Sequence, residues 1–240
     1  MQFSDWLKTP LAEKLLISEQ TISKQWLETV FGYHAVHMGD SATQCLMQSR
    51  IPHSVFISDA PYAYSLRAEL DQLPLKSDSV DLIVMPHVLE FHLHPHMVLR
   101  EVSRILISEG TLLITGFNPH SIWGLRRYID KKNGPWAGHF LSIHRMHDWL
   151  ELMGFTLIQT KTLFYRVPIT GVANSEFSDR VDARLSQIWP YGGAVYMMLA
   201  QKRVSTLTPI PLKATAKRKL LPGWQPTGFS ISQKNKVGKP

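Results

Sequence analysis

The sequence predicts an α/β domain built on parallel strands, and three neighbouring segments carry that expectation. Val80 to Pro86 is a short apolar run bounded by Ser77-Asp78-Ser79 and by Pro86 itself. It is too short for a helix and reads as a buried strand. Pro95 then suits a first helical position, where its missing N–H has no partner to lose. Val98, Leu99, Val102, Ile105 and Leu106 follow at helical spacing, with Arg100, Glu101 and Arg104 on the wet side. Glu109-Gly110 ends that helix, and Thr111 to Thr115 is a second apolar strand. Strand, helix, strand at this spacing is a βαβ unit, whose strands run parallel through a right-handed crossover.

The remaining elements follow from local chemistry. Thr9-Pro10 reads as an N-cap and first-turn proline, opening a helix on which Leu11, Leu15, Ile22, Trp26 and Val30 repeat until Gly32 terminates it. Tyr33 to Met38 reads as the first strand, Ser54 to Ser58 as the second, ending at Asp59, and Tyr62 to Ala68 as the third. Ser142 caps a helix through Trp149 and Leu150 that stops at Gly154. Phe155 to Thr160 is then a sixth strand. Ala194 to Ala200, after the Trp189-Pro190-Tyr191-Gly192-Gly193 turn, is a seventh.

Composition bounds the class. An apolar content of 44% with 19% charged residues places this chain of 240 residues among globular proteins with room for one substantial core. No apolar stretch approaches the length of a membrane span, and Met1 to Trp6 shows no signal-peptide pattern, so the cytoplasm is the expected compartment. Cys45 is alone, which excludes an internal disulfide framework and a cysteine-based zinc site. Charge is unevenly placed. From Ala183 to Pro240 there is no acid and a net +10, against −3 for the rest. After about Ser205 the chain is rich in Pro, Thr, Ser and Gln without periodicity, and reads as a basic, disordered tail. The expected division is a helical extension over 1–32, a domain over 33–204 and a tail over 205–240.

The block Glu69-Leu70-Asp71-Gln72-Leu73-Pro74, Ser79-Val80-Asp81-Leu82, Leu89-Glu90-Phe91, Leu99-Arg100-Glu101-Val102-Ser103-Arg104-Ile105-Leu106 and Glu109-Gly110-Thr111 resembles the second half of a class I S-adenosylmethionine-dependent methyltransferase domain of the type 11 kind. The resemblance implies a Rossmann-like seven-stranded sheet, mostly parallel with an antiparallel last strand beside the fifth, and helices on both faces. It also implies S-adenosylmethionine as cofactor. Gly39 then stands in the cofactor turn, Asp59 where an acid accepts from ribose hydroxyls, Glu69 where an acid accepts from the adenine amino group, and Leu70 where a backbone group meets the ring. His87 follows the fourth strand, near the position of the transferred methyl; substrate orientation or proton removal is the role open to it, and a packed loop histidine the alternative.

The match thins at the first strand. Where the family carries an acid and three alternating glycines, this chain has His37-Met38-Gly39-Asp40-Ser41, with a single glycine to admit close backbone approach. The stretch from Ser54 to Leu70 is also compressed, with no space for a full helix between two strands. His92, His94 and His96 alternate around Pro95 without a Glu or Cys at metal spacing, so no metal site is expected. The Asn/Asp-Pro-Pro-aromatic signature of base methylation is absent, since Met85-Pro86-His87-Val88 stands there, and nucleic acid is not the expected partner. Gly116 to Arg127, with an exposed-looking Trp123, reads as a loop over the substrate opening. Two functions remain. One is methyl transfer to a small molecule; the other is a pseudo-methyltransferase in which the fold serves as an interaction scaffold.

Overall fold

A computed structural model describes residues 2–58, 65–130, 133–166, 184 and 188–203. The expectations for Asp59, for Tyr62 to Tyr64 and for the basic tail lie outside these residues. Two helices open the chain, α1 (Phe3–Trp6) and α2 (Pro10–Leu27), followed by β1 (His34–Met38), β2 (His53–Ser58), β3 (Leu66–Arg67) and β4 (Val80–Pro86). Then come α3 (Pro95–Ile105), β5 (Leu106–Phe117), α4 (Ile122–Ile129), α5 (Ile143–Leu152), β6 (Phe155–Leu163) and β7 (Val195–Lys202). The seven strands form one sheet in the order β3-β2-β1-β4-β5-β7-β6. β1 pairs in parallel with β2 and β4, and β4 with β5, while β7 runs antiparallel between β5 and β6.

Burial on both sides of β4 explains why its sequence is apolar without alternation. Ile83 and Met85 pack with Val98, Leu99, Val102 and Ile105 of α3. Leu82 and Val84 face the other way, onto Ile22, Trp26 and Leu27 of α2. A third cluster, rich in aromatic rings, joins α1 to the end of β5 through Trp6, Phe117 and Trp123.

The Glu101/Arg104 pair of α3, expected on the wet face, is instead a clamp. Arg104 donates to the carbonyls of Leu73 and Leu75 at 3.0 and 2.9 Å and to Glu101, which in turn accepts from Leu73 N–H at 3.2 Å. The segment after Leu70 is thereby fixed against the helix.

Three boundaries differ from the sequence expectation. Helix α2 ends at Leu27 rather than at Gly32. Gly32 serves close approach instead: a Cβ there would lie 2.3 Å from Asp81 Cβ, and Asp81 accepts from Tyr33 and His34 N–H as the chain enters β1. Helix α3 ends at Ile105, because Leu106 already pairs with Val80 and Glu109 takes a left-handed φ of 65°. Trp123 is buried, not exposed, and the expected loop from Gly116 to Arg127 contains α4, capped by the Ser121 hydroxyl.

Gly124 gives a direct test of that last arrangement. Gly to Ala within a helix ordinarily stabilises by about 1 kcal/mol. Here the added Cβ would sit 2.0 Å from the Pro119 carbonyl oxygen. Gly124→Ala is therefore expected to destabilise by roughly 1–3 kcal/mol, read as a fall in the midpoint of urea unfolding.

Candidate active site

The carboxyl ends of β1, β2 and β4 frame a cleft of about 230 Å³, lined there by Gly39, Ser58, Leu70, His87 and Val88. Ligands of open α/β sheets bind at this edge. The N-terminal segment closes one side: Gln2, Phe3 and Ser4 also line the cleft. Ser4 donates to Asp40 Oδ2 at 2.5 Å, and Phe3 stacks on Phe91 with ring centroids 4.4 Å apart.

The glycine turn is shaped by what it lacks. Gly39 has φ 133°, and a Cβ there would come within 3.1 Å of Val88 Cγ2 and 3.2 Å of the Pro86 carbonyl. Only glycine is comfortable in that geometry. Asp40 caps a short 3-10 turn, Ser41–Leu46, by accepting from Ala42 N–H at 2.9 Å. His37, which stands where the family carries an acid, is buried; its Nε2 lies 3.0 Å from the Thr43 carbonyl. Burial pushes its pKa down to about 4, so the ring is neutral and braces the turn from below.

Beneath the cleft lies a buried ionic cluster. His87, held at a left-handed φ of 50°, points Nε2 at Glu19 Oε1 of α2 (2.9 Å) and Nδ1 toward Glu90 Oε1 (3.5 Å). Its ring stacks on Phe117 at 4.2 Å. Burial alone would lower the His87 pKa. The charge and hydrogen bond of Glu19, joined by Glu90, outweigh it and hold the value at about 9. His87 is therefore an imidazolium at neutral pH, with no free nitrogen to accept a proton. Glu90 Oε1 also accepts from Phe117 N–H at 2.6 Å. The phenol of Tyr196 is buried nearby; burial, then the charge of Glu90, raises its pKa, so it keeps its proton. Gly116 makes room: a Cβ there would meet Tyr196 Oη at 2.5 Å and Glu90 Oε1 at 3.0 Å.

Of the residues expected from sequence, Gly39, Leu70 and His87 come together around the cleft. Glu69 is exposed beside it and is not among the lining residues. Asp59 lies outside the described residues. His92, His94 and His96 do not converge: His96 packs on Trp149 with centroids 3.7 Å apart, and no group of acids, histidines or cysteines among the described residues could hold a metal ion. Glu19 and Glu90 were not anticipated as a pair. A signal existed, because Glu19 falls between Leu15 and Ile22 on the apolar stripe of α2, an expensive place for an unpaired carboxylate.

Comparison with known proteins gives the class. Residues 28–114 match the family described as "Methyltransferase domain". An uncharacterized protein of Escherichia coli, YafS, is 29% identical over 191 residues, 78% of this chain and 76% of that one. A malonyl-[acyl-carrier protein] O-methyltransferase of Laribacter hongkongensis is 33% identical over 89 residues, 37% of this chain and 30% of the relative. Among solved structures, an S-adenosylmethionine-dependent methyltransferase of Thermotoga maritima, a possible histamine N-methyltransferase, superposes with a TM-score of 0.59 at 18% identity, covering 78% of this chain and 89% of that one. Over residues 28–114 the chain matches a methyltransferase domain, and its sheet has the fold of S-adenosylmethionine-dependent methyltransferases. The activity and cofactor that this domain implies are methyl transfer and S-adenosylmethionine.

The ionic cluster gives stability a definite pH dependence. A histidine whose folded pKa is raised from 6.5 to about 9 stabilises fully below 6.5, and that contribution is lost as pH rises through 9. Thermal stability should therefore decline across this interval. Glu19→Gln is expected to cost roughly 3–5 kcal/mol at neutral pH, because it leaves a buried cation short of its partner, and to flatten the alkaline decline. An unchanged alkaline slope in melting curves of Glu19→Gln would show that His87 is not titrating there.

Proposed function

We propose that this protein transfers a methyl group from S-adenosylmethionine to a small-molecule acceptor at the cleft above Gly39 and His87. The observation that carries this reading is the Gly39 cradle. It is a glycine with φ 133° at the end of β1, facing the cleft, where a side chain would be strained by the backbone and crowded against Val88 and Pro86. The domain's cofactor fits the residues present: Gly39 for close approach of its amino-acid end, and Leu70 and Val88 on either side of its adenine, with Glu69 at the rim as acceptor for the amino group. Asp59 is assigned to the ribose hydroxyls on the resemblance alone. Bound there, S-adenosylmethionine supplies an electrophilic methyl group on a sulfonium.

The residues of this chain contribute alignment and exclusion of water rather than a nucleophile. Phe3 and Phe91 close the side of the cleft, and Ser4 ties that closure to Asp40. His87, as a cation bonded to Glu19, positions the floor and is not assigned proton removal. The names of relatives do not transfer an acceptor, since the named methyltransferase matches over only 89 residues.

One observation favours the scaffold reading. The Gly39 N–H is already bonded to the Ile57 carbonyl at 3.1 Å, so the single-glycine turn offers fewer free donors than a glycine-rich one. Calorimetry with S-adenosylhomocysteine separates the two. Wild type is expected to bind with modest affinity. Glu69→Ala should weaken binding by about 1 kcal/mol through the lost acceptor, and Asp71→Ala should not change it. Gly39→Val should abolish binding, with circular dichroism confirming the fold. No heat and no thermal shift from wild type at saturating ligand would leave the scaffold reading in its place.

A further inference from the structure

Three separate segments leave exposed apolar side chains on the carboxyl edge of the sheet. Helix α4, directly after β5, turns Leu125, Tyr128 and Ile129 outward at 67, 75 and 86% exposure. Their i, i+3, i+4 spacing makes one helical face, which among the described residues is left uncovered. The segment before β7 exposes Trp189 and Tyr191. It returns to the same edge because Val195 pairs with Phe117, and Asn118 donates to the carbonyls of Tyr191 and Gly193. The two segments adjoin, for Ile122 of α4 and Trp189 line one small cavity. After β4, Leu93 stands out almost fully exposed.

The charge around this belt is basic. Helix α4 contains no acid and carries Arg126 and Arg127, stacked over Trp136 and Phe140. Asp130 and then Lys131 and Lys132 follow in sequence. The surface is discontinuous in sequence, and its apolar side chains are interleaved with cations. Leucine, isoleucine, tryptophan and tyrosine interleaved with arginine are what the headgroup region of a bilayer accepts, apolar and aromatic side chains entering it while cations meet phosphate. No described helix is long and apolar enough to cross a membrane. We propose that this edge docks the protein on the surface of an anionic lipid bilayer, through α4 and the segment before β7.

Vesicle flotation with the full chain tests this independently of any methyl transfer. Wild type is expected to float with phosphatidylglycerol-containing vesicles and not with pure phosphatidylcholine. Leu125→Ser combined with Ile129→Ser should reduce flotation roughly tenfold or more, because two apolar side chains leave the bilayer. Both positions are solvent-exposed, so the fold should be unaffected, which melting temperature confirms. Leu152→Ser, equally exposed but at the opposite edge of the sheet, is the control and should float like wild type. Three results would overturn the proposal: no flotation of wild type, flotation undiminished in the double variant, or loss of a dimer in the double variant, which would make the belt a contact between copies.

Discussion

A carboxylate from the N-terminal helix and an imidazole from the end of β4 meet in the interior, and much of the cleft's architecture hangs on that contact. Glu19 reaches His87 from an element that precedes the sheet in sequence, and Glu90 approaches the other ring nitrogen. With α2 anchored there, α1 is carried across the cleft, where Phe3 meets Phe91 and Ser4 meets Asp40. His87 adopts a backbone conformation that a non-glycine residue rarely takes, and the two carboxylates together with Phe117 hold it so. Removing one carboxylate does not simply delete an ion pair. It leaves a charge in a dry place.

The same physics explains the motif by which the domain was first legible. Leu-Arg-Glu-x-x-Arg looks like a wet helical face with three spare charges. In the fold, Glu101 and Arg104 satisfy the backbone of Leu73 and Leu75, groups with no strand partner, and so fix the loop that presents Leu70 to the cleft. Charged residues at these positions stabilise a binding loop rather than solubilise a helix.

Local periodicity and capping chemistry made the parallel unit of β4, α3 and β5 and the caps at Thr9 and Ser142 legible, whereas the antiparallel β7 and the positions of Gly39, Leu70 and His87 beside the cleft were legible only through the family resemblance. Sequence reading missed what depends on distance. Gly32 looked like a helix stop, but its role is to pass under Asp81, forty-nine positions away. Trp123 looked exposed among polar neighbours, yet its ring fills the aromatic cluster and its indole N–H donates to the Arg166 carbonyl. Glu19 and His87 are separated by 68 positions, and only the packing of α2 on the sheet brings them together. His37 replaces an acid of the family pattern, and its neutral ring bonded at Thr43 shows the turn braced by a buried hydrogen bond instead.

The most direct measurement of this arrangement is the nitrogen chemical shift of the His87 imidazole, followed against pH in labelled protein. Both ring nitrogens should carry protons at neutral pH and lose one only near the value of about 9 set by Glu19 and Glu90. A His87 ring that is neutral at neutral pH, with one bare nitrogen, would contradict the buried ionic floor and return His87 to the role of a base.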